Sequence, residues 1–271
     1  MARGLDHIVV AVQDLDAVAE KWKALGFTVT PENRHPWGTA NRLIQLDGFF
    51  IELLKVADNS LIDEPGPHQF SFGAHNREFL KTREGGSMLV SQSLDPDADR
   101  EDFKALGLKT YEPFSFTRVA TFADGSTGRV GFDLTYTTDN ALPGLAFFTC
   151  HNRYPETFWN KAFQSHENGA QQIKTIYIVS QTPAAHTEFL SGFVGVGATP
   201  KGAEDSVEIT TPRGMIKVLT KEAAINELGE GAAPKDLSAP YIAGMEISCA
   251  SDIMAKTIPA KDLNGLALRL L

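Results

Sequence analysis

The chain contains 271 residues, of which 42% are hydrophobic and 22% charged, a balance typical of globular proteins with a substantial core. Its formal net charge of −9 argues against non-specific nucleic-acid binding and against anionic membrane surfaces, because both require basic patches. Two cysteines are too few for a disulfide framework, and no apolar run reaches the roughly 18 residues of a membrane helix. We therefore predict a cytoplasmic protein that binds a small molecule, and neither nucleic acid nor membrane.

The N-terminal part predicts a β-α-β-β-β module. In the segment LDHIVVAV at residues 5–12, branched residues alternate with a set that includes His7, so this strand has two different faces. Asp14 or Asp16 can cap the helix that follows, and Gly26 suits the end of that helix. The strands that complete the module are predicted near residues 27–30, 39–46 and 49–56.

The same pattern occurs again after a connection that contains a short predicted helix near residues 77–81. The segment SMLVS at 87–91 is followed by the acidic stretch DPDAD and then by KALGL, which matches KALGF of the first module. The second copy is predicted to contain a helix at 97–106 and strands near 114–122, 128–137 and 145–150. The same order of a strand, a helix and an Ala-Leu-Gly helix end occurs twice, which indicates a fold built by duplication. The copies differ where His7 of the first matches Met88 of the second.

The C-terminal part predicts a second, less complete pair of modules. The predicted elements are a strand at 173–179, a helix at 184–193, strands at 206–210, 215–219 and 241–249, then a short helix and a closing strand at 265–271. We therefore predict paired modules over residues 1–170, and a third module with a reduced fourth over residues 171–271. Here the positions matching His7 and Glu52 fall near Lys174 and Lys217, and a lysine ammonium has no lone pair for a metal. Any site is expected between modules one and two.

Several motifs in residues 4–179 carry a family resemblance. They are LDHIVVAV at 5–12, RHPWGTAN at 34–41, FFIEL at 49–53, PGLAFF at 143–148, CHNRYPE at 150–156 and HENGA at 166–170. Together they resemble the vicinal oxygen chelate superfamily, which includes glyoxalase I, extradiol dioxygenases and fosfomycin-resistance proteins, and more closely its glyoxalase-like members. The resemblance implies an α+β fold in which tandem βαβββ modules form cup-shaped mixed sheets with helices outside.

The resemblance also implies one divalent metal in the cup, held by residues from the first and last strands of each module. His7 and Glu52 occupy those positions in the first module, and imidazole and carboxylate groups suit Zn, Mn, Fe, Ni or Co. In the second module Met88 replaces one ligand, and aligning the paired phenylalanines brings Cys150 opposite Glu52. A one-residue shift of that strand would turn His151 inward instead. The expected metal ligands are therefore His7, Glu52 and His151.

Glu52 and His151 are also the candidate catalytic residues. Glu52 lies in an apolar run, where a carboxylate must be paired, metal-bound or turned to a cavity, and the alternative is an ion pair with Arg42. Histidine suits proton transfer near neutral pH, although a helix cap or a core contact would use His151 equally well. The expected substrate-binding residues are His35, Trp37, Asn41, Phe50 and Arg153. The loop that holds the first three of them could equally be a turn stabilised by its own polar side chains.

Two functional hypotheses follow from these residues. In the first, the protein is a glyoxalase-like enzyme in which a metal polarises vicinal oxygens of a small carbonyl or diol, while Glu52 or His151 moves a proton. Isomerisation, lyase chemistry and oxygenation all remain open for this enzyme. In the second, the cup is a metal-free binding site for a small ligand, which Met88 favours. A monomer or homodimer is expected, because exposed strand edges favour pairing.

Overall fold

The computed structural model of the chain describes residues 2–121, 127–195, 199–203, 205–232, 239–250 and 254–271. Within these residues, helices and strands form the α+β architecture that the sequence predicts. None of the described helices is both long and apolar enough to cross a membrane.

The first module consists of β1 (Leu5–Ala11), α1 (Leu15–Ala24), β2 (Asn33–Arg34), β3 (Thr39–Gln45) and β4 (Phe50–Val56). Asp14 is the residue that caps α1, because its side chain accepts a hydrogen bond from Ala17 N–H. The strand predicted near residues 27–30 does not form. The N–H of Leu43 donates to the Thr30 hydroxyl instead of a backbone carbonyl, so the ladder ends there, and the short strand β2 forms further along the chain.

The second module consists of α2 (Phe72–Leu80), β5 (Gly85–Gln92), α3 (Pro96–Ala105), β6 (Phe114–Thr121), β7 (Thr127–Thr137), β8 (Ala146–Asn152) and the single turn α4 (Pro155–Phe158). The helix predicted near residues 77–81 begins earlier, because Ser71 caps it by accepting a hydrogen bond from Ala74 N–H. The last residue of the strand predicted at 114–122 lies outside the described residues. The strand order and the helix of the predicted second copy are otherwise present.

The C-terminal part consists of β9 (Ala170–Val179), α5 (Thr187–Val194), β10 (Thr199–Ala203), β11 (Ser206–Thr210), β12 (Met215–Leu219), α6 (Lys221–Leu228), β13 (Tyr241–Cys249), β14 (Lys256–Ile258) and β15 (Ala267–Leu270). The helix predicted at 184–193 begins as a 3₁₀ turn over Pro183–His186. The sequence does not predict β10. The division of the chain into two domains stays a prediction.

The strands form one mixed sheet in the order β10-β11-β12-β9-β13-β5-β1-β4-β3-β2, with β8, β7 and β6 added at β5, and β15 and β14 added at β13. In the first pair of modules, β1 and β5 run antiparallel, and each has a parallel partner, β4 beside β1 and β8 beside β5. This symmetry is what two duplicated modules require. The tandem-module fold class predicted from the sequence is confirmed.

The two faces of this sheet have different environments. On the outer face, Ile8 and Val10 belong to an apolar cluster that includes Trp22 of α1. On the inner face, Val9 and Met88 belong to a separate cluster that lines the cup. Because side chains alternate along a strand, the inner face of β1 also receives the side chain that lies two residues before Val9.

Candidate functional site

His7, two residues before Val9 on the inner face of β1, lies on the floor of the cup. Its ring stacks on Phe50, with the two ring centroids 4.1 Å apart, and only 3% of the residue is exposed. The Nδ1 atom lies 2.6 Å from Asp6 Oδ1, while Nε2 faces Glu52 Oε2 at 3.8 Å. A carboxylate on one ring nitrogen fixes the orientation of the imidazole and directs the other nitrogen to its partner. His7 therefore presents Nε2 towards Glu52.

A bulge in β1 allows Asp6 to reach His7. Along the pair formed by β1 and β5, Leu5 pairs with Ser91 and His7 with Val90, so Asp6 is an extra residue with no partner of its own. In a regular strand, neighbouring side chains point to opposite faces, whereas a bulge changes the direction of one of them. The bulge thus gives His7 a buried carboxylate from the adjacent position.

Glu52 extends from β4 beside His7, and it is 6% exposed. Burial raises the pKa of the Glu52 carboxyl, while His7 and the hydrogen bond from Asn41 act in the opposite direction. The Asn41 Nδ2 atom donates to Glu52 Oε1 over 2.7 Å. Glu52 is thus a carboxyl with raised proton affinity, held at one oxygen by an amide. The ion pair with Arg42, which is the alternative for Glu52, is not formed, since Arg42 binds Asp16 instead.

The raised pKa of Glu52 predicts an effect on stability. A carboxyl that binds protons more tightly in the folded state stabilises the fold below its unfolded pKa, and this contribution is lost as pH rises through the folded value. We expect Glu52→Gln to raise the free energy of unfolding at pH 8, because the buried ionised carboxylate is replaced by a neutral amide. The gain should vanish near pH 4. Urea unfolding of the wild-type and Glu52→Gln proteins, in the presence of a chelator at pH 8 and pH 4, measures this gain. A gain of equal size at both pH values would contradict the raised pKa of Glu52.

Asn41 is itself fixed by a chain of hydrogen bonds. Its Nδ2 atom also lies 3.3 Å from His35 Nε2, and His35 Nδ1 lies 2.8 Å from the Thr39 hydroxyl. Burial, with a smaller effect of Arg118, lowers the pKa of His35 to about 3, so the ring is neutral near pH 7. A neutral imidazole accepts at one nitrogen and donates at the other, which lets Nε2 accept from Asn41. The chain of bonds from Thr39 to Glu52 therefore sets the direction of the carboxylate.

Three buried polar atoms at this site have no hydrogen-bond partner among the described residues. They are Trp37 Nε1, Asn41 Oδ1 and the Tyr136 hydroxyl, and all three residues line the same cavity. Burial raises the pKa of Tyr136, which keeps its phenol protonated. The cavity thus offers donors from Trp37 and Tyr136 and an acceptor from Asn41. Buried polar groups without partners are costly, so a ligand with oxygen atoms and a hydroxyl group fits this arrangement.

The walls of this space, which we call the central cavity, are aromatic. The rings that line it belong to Phe50, Phe72, Phe116, Phe132, Phe148 and Phe158. The cavity contains about 640 Å³ of space, including its open mouth. Polar groups converge on the floor and apolar rings surround them, which is the usual composition of a site for a small organic molecule.

The structure brings together most of the residues predicted for the site. His7, His35, Trp37, Asn41, Phe50 and Glu52 all line the central cavity. Two do not: His151 and Arg153 lie outside it. The His151 side chain is 35% exposed, with Nδ1 3.8 Å from Asp133, and Arg153 forms an ion pair with that same aspartate. The roles of all these residues stay predictions.

The position of His151 corrects its expected place in the metal set. On β8, Thr135 pairs with Thr149 and Leu134 with Cys150, so Cys150 faces the inner cluster and His151 points away. The one-residue shift that would turn His151 inward does not occur. Burial raises the pKa of the Cys150 thiol, which disfavours the thiolate that binds metals. Met88 is fully buried among apolar side chains.

Two groupings could bind a metal ion at this floor. His7 Nε2 and Glu52 Oε2 are 3.8 Å apart, and two metal bonds of about 2.0–2.2 Å can span that distance. Side-chain ligand atoms of Asp6, His7 and Cys150 also lie within 4.8 Å of one another. Asp6 already holds His7 through a hydrogen bond, so we assign it to orientation rather than binding. The pair of His7 and Glu52 would offer a divalent metal one imidazole nitrogen and one carboxylate oxygen.

The second pair of modules holds charged residues at the corresponding positions. Lys217 forms ion pairs with Glu208 and Glu227, and the Tyr177 hydroxyl lies 2.6 Å from Glu246. These groups partner one another.

Asp6, Tyr136 and Arg118 are polar or charged side chains of this region that were not among the residues predicted for the site. Asp6 stands next to His7 in the LDH triplet, which is a local signal that the sequence offers. Tyr136 and Arg118 lie on β7 and β6, and they reach the central cavity only through strand pairing. No local pattern marks them.

Comparison with known proteins places these features in a family. The sequence profile of the glyoxalase-like domain matches residues 5–194, which include both modules of the cup. No curated protein sequence matches the chain. The family match therefore comes from the profile alone.

Solved structures share the fold at low sequence identity. A hypothetical protein from Staphylococcus aureus is 14% identical, with a TM-score of 0.75 and 99% of each chain covered. A mutant of 4-hydroxymandelate synthase from Streptomyces coelicolor is 5% identical, with a TM-score of 0.52, and covers 100% of this chain and 92% of its own. A xylose isomerase-like TIM barrel/4-hydroxyphenylpyruvate dioxygenase fusion protein is 13% identical, with a TM-score of 0.55; the match covers 93% of this chain and 37% of the fusion protein. These similarities show the fold alone.

Proposed function

The chain belongs to the glyoxalase-like domain family of the vicinal oxygen chelate superfamily, and from this we propose that it is an enzyme that moves a proton next to a carbonyl group in a small substrate with vicinal oxygens. One observation carries the proposal: a buried carboxyl with raised pKa, Glu52, is oriented by an amide inside an open cavity. A general base works best when its pKa approaches the working pH. Burial moves the pKa of Glu52 in that direction.

The polar atoms around Glu52 define what each residue would do. Asn41 holds Glu52 Oε1, so the carboxylate keeps a fixed direction while it takes a proton from carbon and returns it. The protonated phenol of Tyr136 and the Trp37 N–H have no hydrogen-bond partner among the described residues and would donate to a substrate oxygen as negative charge develops on it. The aromatic walls exclude water from the reacting carbon. Phe50 and His35 would bind the substrate from opposite sides of this floor.

The fold family implies a divalent metal, and the residues present fit one. His7 Nε2 and Glu52 Oε2 would hold it, with Asp6 fixing the His7 ring. A bound divalent ion polarises vicinal oxygens of a substrate. An imidazole and a carboxylate would suit Zn, Mn, Fe, Ni or Co.

Solvent exchange tests the proposed reaction. Small ketones and aldehydes with a neighbouring hydroxyl, such as 2-hydroxyacetophenone, are incubated with the protein in D₂O, and deuterium at the carbon next to the carbonyl is followed by NMR. We expect exchange above the buffer rate that depends on Glu52. Exchange that is equally fast with the Glu52→Gln protein would contradict the proposal.

A metal-free binding protein is the second candidate, and the second module favours it. Met88 and the protonated thiol of Cys150 occupy positions where a metal site would want ligands. Metal analysis separates the two functions. We expect the purified protein, after incubation with Zn, Mn, Fe, Ni or Co, to retain about one ion per chain, and the double variant His7→Ala/Glu52→Gln to retain almost none, since both ligands are lost. An absence of metal in the wild-type protein from pH 6 to 9 would favour the binder.

A further inference from the structure

Arg118 is a guanidinium on the wall of the central cavity that has no acidic partner among the described residues. It lies on β6, and its Nη2 atom donates to Asn33 Oδ1 over 3.2 Å. Among the residues that the structure describes, no carboxylate oxygen lies within 4.0 Å of its nitrogens. Arg118 is half-buried, and partial burial of an unpaired cation is unfavourable. A group that the folded chain leaves unpaired in a cavity is a candidate contact for a ligand.

Three other arginines near the cup are each paired with a carboxylate. Arg34 binds Glu32, Arg42 binds Asp16, and Arg153 binds Asp133. In each case a carboxylate of this chain satisfies the guanidinium. For Arg118, by contrast, the described residues supply no such carboxylate.

The surroundings of Arg118 carry little other charge. Burial and, to a smaller extent, the positive charge of Arg118 lower the pKa of His35 to about 3, so His35 is neutral near pH 7. Glu52 forms no ion pair with Arg118, and its carboxylate is held by Asn41. Positive charge at this wall is thus separated from the carboxylate on the floor. A ligand that spans the two would meet a cation at one end and the reacting groups at the other.

Aromatic rings occupy the space next to Arg118. Trp37 packs edge-on against Phe116 with ring centroids 4.7 Å apart, and Phe116 lies 5.4 Å from Phe132. These rings form an apolar surface beside the guanidinium. Rings of this kind bind an aryl or alkyl group through apolar contact.

From this geometry we propose that the substrate is an amphipathic monoanion, with a carboxylate bound by Arg118 and an apolar, preferably aromatic, body between Trp37, Phe116 and Phe132. This inference rests on the proposed function, because it places the ligand in the same cavity and leaves its vicinal oxygens at Glu52. A guanidinium binds a carboxylate through two parallel hydrogen bonds. One isolated guanidinium suits a single negative charge, whereas a phosphate dianion would need further cationic groups.

The test compares the binding of two probes that differ only in charge. Isothermal titration calorimetry measures 3-phenylpropanoate and its neutral amide, 3-phenylpropanamide. We expect the wild-type protein to bind the carboxylate at least about tenfold more tightly, since charge-assisted hydrogen bonds are roughly twice as strong as neutral ones. In Arg118→Gln the preference should fall to about twofold or less, with amide binding unchanged. Arg118→Lys should retain part of the preference, and it replaces the glutamine variant if that protein does not fold.

Matched variants separate this inference from the proposed function. Arg129→Gln removes one positive charge from an exposed position on the neighbouring strand β7, and it should keep the wild-type preference. Glu52→Gln should also keep the preference for the carboxylate probe, even if it loses all exchange activity. Binding preference and exchange activity therefore test the substrate class and the proposed function separately. Equal binding of the two probes, no binding of either, or an unchanged preference in Arg118→Gln would overturn the inference.

Discussion

Replacing Glu52 by glutamine is expected to lower the rate of carbon–hydrogen exchange by about a thousandfold, within the usual range for loss of a general base. The substitution keeps the volume of the side chain and an oxygen that can accept the hydrogen bond from Asn41, but it removes the lone pair that takes the proton. Deuterium incorporation into 2-hydroxyacetophenone in D₂O measures the change.

A second variant shows whether the loss comes from the proton acceptor or from a damaged site. Asn41→Ala leaves the carboxylate in place and removes only the group that orients it, so we expect a smaller loss, about tenfold to a hundredfold. Because Glu52→Gln is also expected to be the more stable protein at pH 8, unfolding cannot explain its loss of activity. A Glu52→Gln protein that retains more than a tenth of the wild-type rate would show that another group takes the proton.

Replacing His7 by alanine is expected to lower the exchange rate by about a hundredfold or more, as for the loss of a group that contacts the reacting centre. His7 Nε2 faces Glu52 Oε2, and its ring forms part of the cavity wall by stacking on Phe50. The variant also loses one of the two side chains that fit a metal. Exchange rates and metal content are therefore measured on the same samples, and both are expected to fall.

His151→Ala is the matched control for this experiment. It removes the same kind of side chain from the same sheet, but the His151 ring lies outside the central cavity and near Asp133. We expect its rate to stay within about twofold of the wild-type value, as for most substitutions of exposed side chains. The opposite order, with a large loss at His151 and a small one at His7, would place the reacting groups beside His151 and Asp133 and outside the central cavity.

The outline of the cup could be predicted from local sequence. Alternation along β1 and β4 places His7 and Glu52 on one face, and the apolar run around Glu52 indicates a buried carboxylate. The repeated strand, helix and Ala-Leu-Gly stop indicate two copies of one module. Each of these signals depends on residues close together in the chain, which is why sequence reasoning finds them.

The choice between Cys150 and His151 shows where local reasoning ends. Both sit on β8, and only the pairing of β8 with β7 decides which one faces inward. Adjacent residues in a strand point to opposite faces, so a shift of one residue in either direction would exchange their roles. The register is set by packing across the whole sheet, and the sequence of β8 does not contain it.

By itself, the sequence determined the family, the duplicated α+β fold and a cluster of chemistry-bearing side chains in the first module. Only the tertiary structure decided that Asp6 bonds to His7, that the Tyr136 hydroxyl lies in the cavity, and that Arg118 lines its wall. The first depends on a bulge, and the other two on pairing between distant strands. Hydrophobic periodicity is a property of neighbouring residues, whereas a functional site is formed by side chains that come together only when distant strands pair in the sheet.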